Sequence, residues 1–99
     1  ISVEDIERDL WVRATPNPAE DYVDFFFNYP ENSEKLKIQV YNVLGKAVKV
    51  IEREQLTGNF KYRWNLKDNR GVPLANGLYI YLIRTGNARS DLSRLVVRR

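Results

Sequence analysis

Over most of this 99-residue chain apolar and polar positions alternate with a period of two, the mark of strands with one buried and one wet face. The clearest case is Leu36, Ile38 and Val40 set against Lys35, Lys37, Gln39 and Tyr41. Between Tyr22 and Tyr29 the pattern puts Val23, Phe25, Phe27 and Tyr29 on one face and Asp24 and Asn28 on the other, leaving Phe26 exposed. Phe60, Tyr62, Trp64 and Leu66 likewise alternate with Lys61, Arg63 and Asn65. Further strands are expected near Leu10 to Ala14, from Lys46 to Arg53 with Val48 and Val50 facing in, and from Leu92 to Arg98. Leu78 to Thr85 is apolar on both faces, as expected of a central strand covered on two sides.

Turn chemistry punctuates these segments. Thr15-Pro16-Asn17-Pro18 forces an extended or turned backbone with few donors, a hinge or an edge crossing. Pro30-Glu31-Asn32-Ser33, Leu56-Thr57-Gly58-Asn59 and Gly86-Asn87 read as turns, and Asn42 to Gly45 as the tight connection of a hairpin. Asp68-Asn69-Arg70-Gly71 and Ala75-Asn76-Gly77 supply residues that tolerate positive φ, so the chain can reverse twice around Pro73. Tyr79, at the start of its strand, suits a tyrosine corner, whose hydroxyl bonds back to nearby backbone. Many short strands with frequent turns and no helical period predict an all-β fold: an immunoglobulin-like β-sandwich of about seven antiparallel strands in a Greek key.

Composition narrows the chemistry. One domain is the expected organisation at this length, with residues 1–12 as a linker or N-terminal edge segment and 13–99 as the sandwich. The chain starts at Ile1 and contains no methionine, as expected of a piece of a longer polypeptide. There is no cysteine and therefore no disulfide framework. No apolar run approaches the roughly 18 residues of a membrane-spanning helix. Without histidine or cysteine, Ser-His and Cys-His nucleophilic pairs and the common zinc sites are excluded. Glu52 with Glu54, or Asp21 with Asp24, could form a carboxylate pair, but on strands without a pocket they read as solvated acids. Asp68-Asn69 offers oxygens to calcium, though turn formation explains both residues. The sequence thus predicts no enzyme, no cofactor and no metal.

Charge is unevenly spread: residues 1–34 hold nine acids and two bases, residues 35–99 fourteen bases and four acids, for a net charge of +3. The basic part could attract phosphate-bearing partners such as lipopolysaccharide. The alternative is that Lys35, Lys37, Lys46, Lys49, Lys61 and Arg63 are the wet faces of strands. Nucleic acid is not an expected partner, because aromatic and basic residues are not interleaved on one evident face. Trp11, Trp64, Phe26 and Tyr41 would make an aromatic platform for sugars if they lined one face, but the register of Trp64 with Phe60 and Tyr62 places it in the core.

Four ordered motifs point further. They are Pro16-Asn17-Pro18-Ala19 ahead of Tyr22-Val23, Tyr41-Asn42-Val43-Leu44-Gly45-Lys46, Gly77-Leu78-Tyr79, and the closing Arg94-Leu95-Val96-Val97-Arg98-Arg99. From Ala14 onward the chain resembles the C-terminal sorting domain of cargo secreted through the type IX secretion system of Gram-negative bacteria. Its closing basic positions are arginine where that family usually has lysine, which keeps the charge and changes hydrogen-bond geometry. Trp64 to Tyr81 is also similar to the immunoglobulin-like domain of flagellar hook-capping proteins, which share a Trp-x-x-x-Asp-x-x-Gly turn leading to Gly-x-Tyr.

The resemblance implies a non-catalytic export address joined to a cargo domain on its N-terminal side. Its partners would be the outer-membrane secretion machinery and a sortase-like protease that cuts ahead of the domain, with anionic lipopolysaccharide joined to some released cargo. The path would run through the periplasm to the cell surface or the medium. The residues expected to be recognised are Pro16, Asn17, Pro18, Gly77, Tyr79, Arg94, Leu95, Val97, Arg98 and Arg99, with the last strand adding to the edge of a partner sheet. A structural spacer in an extracellular or hook-cap protein is the other reading.

Overall fold

In the computed structural model the strands pair into two antiparallel sheets that enclose one core. The structure describes residues 10–29, 35–53, 58–85 and 88–99. The expected turns at 30–33 and 86–87, the first half of the turn at 56–59, Glu54 and residues 1–9 lie outside them, as do the side chains of Tyr29 and Phe60.

The first sheet is ordered β1 (Val12–Thr15), β2 (Val23–Tyr29), β5 (Gly58–Trp64). The second places β3 (Leu36–Asn42) between β4 (Ala47–Arg53) and β6 (Gly77–Thr85). The far edge of β6 is shared by β7 (Ala88–Arg89) and β8 (Ser93–Val97), one edge interrupted around Ser90. The chain crosses between sheets after β2, β4 and β5, which is the Greek-key arrangement of an immunoglobulin-like sandwich.

Inward-facing residues match the period-two pattern. Val23, Phe25, Phe27, Leu36, Ile38, Val40 and Trp64 are all buried, and Phe25 stacks on Trp64 with ring centroids 6.0 Å apart. The Trp64 indole N–H donates to Lys67 O at 3.0 Å, so its one polar group is satisfied inside the core. Leu66 lies past the end of β5 at φ 61 and is fully buried, its carbonyl accepting from Leu74 N at 2.9 Å.

Two expectations need correction. Val50 does not face in: it pairs with Gln39 on the outer face, and Ile51 is the buried residue of β4. A register shift between Val40 and Tyr41 changes the parity of the hairpin, so Val48 still packs on the core while Val50 does not. β6 is central within its sheet but is not covered on both faces. Tyr79, Tyr81 and Ile83 are buried inside, whereas on the outer side Leu82 is buried by its neighbours and Leu78 is 39% exposed.

Candidate functional site: a clasped terminal strand

β8 is an edge strand, and its outward main-chain groups would ordinarily be open to any passing strand. Here the segment 16–19 fills them. Ala19 N donates to Val96 O at 2.7 Å and Arg98 N donates to Ala19 O at 2.8 Å, a one-residue parallel bridge between Ala19 and Val97. Asn17 completes the cover with its side chain: Nδ2 donates to Arg94 O at 2.8 Å, and Oδ1 accepts from Val96 N at 3.0 Å. The carboxamide offers one donor and one acceptor, as a peptide unit does. Pro16 and Pro18 bring no N–H, so this strap gives no donor at those positions to a further strand. Both prolines follow cis peptide bonds.

Burial sets the anchor. Ala19 is 0% exposed, while Pro16, Asn17 and Pro18 lie on the surface. The strap approaches from β1, which is tied to the other sheet where Ala14 N donates to the Tyr81 hydroxyl at 3.1 Å. Burial pushes the Tyr81 hydroxyl above the usual tyrosine range, with the Ala14 amide opposing that shift. On the opposite side of β8, Leu95 and Val97 point into the core and pair with Tyr79 and Gly77 of β6.

The turn before β6 closes over the chain end. Tyr79 donates its hydroxyl proton to Ala75 O at 2.8 Å, the expected tyrosine corner. Gly77 sits at φ 153, a conformation that L side chains rarely adopt. Arg99 N donates to Asn76 Oδ1 at 3.1 Å, and its guanidinium reaches Leu74 O. Arg94 lies on the outer face opposite Ile80. All ten residues expected to be recognised thus fall in one assembly of strap, corner and terminal strand. Ala19 was legible as part of the Pro16-Asn17-Pro18-Ala19 motif, but sequence reading missed Leu74, Asn76 and Tyr81 as members of the assembly. The Ala75-Asn76-Gly77 turn was the available signal for Asn76, and separation in sequence hid the other two.

The outward edge of β8, which strand addition to a partner sheet would use, is occupied by the strap.

Other candidates disperse. Trp11 and Phe26 lie on the outer face of the three-stranded sheet, Trp64 in the core and Tyr41 on the outer face of the other sheet, so they form no single platform. That first face does bring Arg13, Phe26 and Lys61 into one row, an interleaving not evident in sequence. Asp24 is held by Arg63 in a two-pronged ion pair of 2.8 and 3.1 Å, and the guanidinium lies 4.0 Å from the Tyr22 ring centroid. The Arg63 hydrogen bond holds the Asp24 carboxyl below the usual aspartate range. Glu52 pairs with Lys35 at 3.1 Å. Asp68 Oδ1 accepts from Arg70 N at 2.8 Å and Val72 N at 3.0 Å, which is turn chemistry. A shallow groove of about 470 Å³ is lined by Arg13, Ala14, Thr15, Asn17 and Phe26, among which no acid–base pair exists.

All of the assembly except Arg99 lies within a match to the secretion system C-terminal sorting domain family, over residues 14–98. The chain belongs to that family. Among solved structures, a crystal structure of dimeric latent PorU from Porphyromonas gingivalis is similar with TM-score 0.78 at 22% identity, over 87% of this chain and 9% of that one. PorZ, a surface component of the type IX secretion system of the same organism, is similar with TM-score 0.55 at 20% identity, over 89% of this chain and 11% of that one. At these identities the likeness shows a shared fold, and the chain spans about a tenth of the proteins it matches. No curated protein matches the chain. Membership of the sorting family identifies a type IX secretion signal, a class of domain found on proteins destined for the cell surface or the medium.

Proposed function

We propose that this domain is a non-catalytic address that directs a cargo, joined ahead of β1, from the periplasm across the outer membrane. The observation that carries the reading is the clasp. It gathers the separate motifs of the sorting family, Pro16 to Ala19, Gly77 to Tyr79 and Arg94 to Arg99, into one surface that a partner can read in a single encounter. The residues read there are Pro16, Asn17, Pro18, Gly77, Tyr79, Arg94, Leu95, Val97, Arg98 and Arg99. Leu95 and Val97 contribute by fixing the strand from inside, because both are buried. Arg94 and Arg98 supply exposed cations suited to acidic groups on the outer-membrane machinery. A sortase-like protease then cuts ahead of the domain, and the released cargo is joined to anionic lipopolysaccharide or leaves the cell.

The test is export of a fluorescent protein carrying a cleavable signal peptide and this domain, in hosts with and without a working type IX machine. Release from the periplasm only in the first host is the expected result. Retention in both would favour a structural spacer. A second reading, favoured by the likeness to PorU and PorZ, is that the domain is retained as a surface anchor in a component of the apparatus. Mass spectrometry of the surface protein distinguishes them: loss of the domain supports the cut address, and its presence supports the anchor.

A further inference from the structure

The β3–β4 hairpin ends in two bare aliphatic side chains. Val43 is 69% and Leu44 89% exposed, while the turn around them is fixed by four hydrogen bonds. Gly45 N donates to Asn42 O at 3.0 Å and Asn42 N to Lys46 O at 2.9 Å. Asn42 Oδ1 accepts from both Leu44 N and Lys46 N at 3.0 Å, and Gly45 closes the turn at φ 82. Asn42 and Gly45 meet every requirement of the turn. Nothing in the fold asks for large aliphatics at positions 43 and 44, where polar residues are the rule.

The tip is also placed beside the clasp. Asn42 pairs with Tyr79, which pairs with Leu95, so the residues past Asn42 overhang the same end of the sheet as Leu78 and the chain terminus. Lys46 and Lys49 follow the tip with no acid between Asn42 and Ile51, whereas Lys35, at the far end of β3, is paired with Glu52. A rigid apolar knob in a cationic setting complements an apolar pocket with an acidic rim, because little conformational freedom is lost when it seats.

We propose that Val43 and Leu44 are a docking knob that seats in an apolar, acid-rimmed pocket of a protein component of the export machine. This rests on the reading of the domain as an export address. The test uses the same fluorescent fusion, comparing wild type with Val43→Ser/Leu44→Ser, the conservative Leu44→Met, and Lys46→Glu. The expected result is at least a tenfold loss of export for the double variant and a smaller loss for Lys46→Glu. Leu44→Met should export normally, and the melting temperature of the double variant should stay within a few degrees of wild type, since both side chains are exposed. If wild type is exported and the double variant equally so, the knob is overturned while the address stands; if wild type is not exported, the address itself falls. Flotation of the purified domain with phosphatidylglycerol vesicles, lost in the double variant, would overturn the protein pocket in favour of a lipid surface.

Discussion

The carboxamide of Asn17 meets β8 with a carbonyl oxygen and an N–H, the two groups a neighbouring strand would bring. Asn17→Ala leaves Arg94 O and Val96 N to water and is expected to lower stability by about 1 kcal/mol. Asn17→Asp should cost more, because its second oxygen would face the Arg94 carbonyl in place of a donor; urea titration of the two variants reads the difference. Tyr79→Phe removes the hydroxyl that donates to Ala75 O and should likewise cost about 1 kcal/mol in the same titration. Asp24 titrates in a predictable direction. Its folded pKa is lowered by Arg63, so the stability it adds is present above the unfolded aspartate value of about 3.9 and is lost as pH falls through the lower folded value. The stability gap between wild type and Asp24→Asn should therefore shrink as the buffer is taken from pH 6 to pH 3. At this scale the core was legible, since burial follows directly from alternation. The partners of Asn17 were not, because no local pattern links it to residues 77 and 79 positions away.

Among elements, β8 shows why recognition and folding are hard to separate. Leu95 is fully buried and Val97 nearly so, and β6 pairs with the strand from Gly77 to Tyr81. Leu95→Ala should cost about 2 to 5 kcal/mol by leaving a cavity. Deleting 95–99 removes both plugs at once, so lost export in that variant reports unfolding as much as lost recognition. Exchanging Arg94 and Arg98 for glutamine, with the fold checked by circular dichroism, isolates the charges; the expected outcome is an unchanged fold with reduced export. Strand existence was clear from sequence for most of the chain, and the hairpin turn at 42–45 was identifiable from Asn and Gly alone. The parity of β4 was not, since a bulge shifts register without any marker residue at Val40 or Tyr41. β7, only two residues long, is too short to carry a period.

For the molecule as a whole, the sandwich class followed from turn spacing, and the family motifs supplied the ordering of functional segments that periodicity lacks. How those segments meet is a property of topology: crossings after β2, β4 and β5 bring the strap and β8 to one edge. That closure also sets a timetable. The strap leaves the ribosome nearly eighty residues before Val96 and Arg98, so the groups it is to cover do not yet exist while cargo and early strands are being made. A polypeptide broken off anywhere before Leu95 carries Asn17 and Ala19 with nothing to hold. Only a message translated through Arg98 yields a closed edge, so if that edge is the address proposed above, a prematurely terminated cargo would carry none.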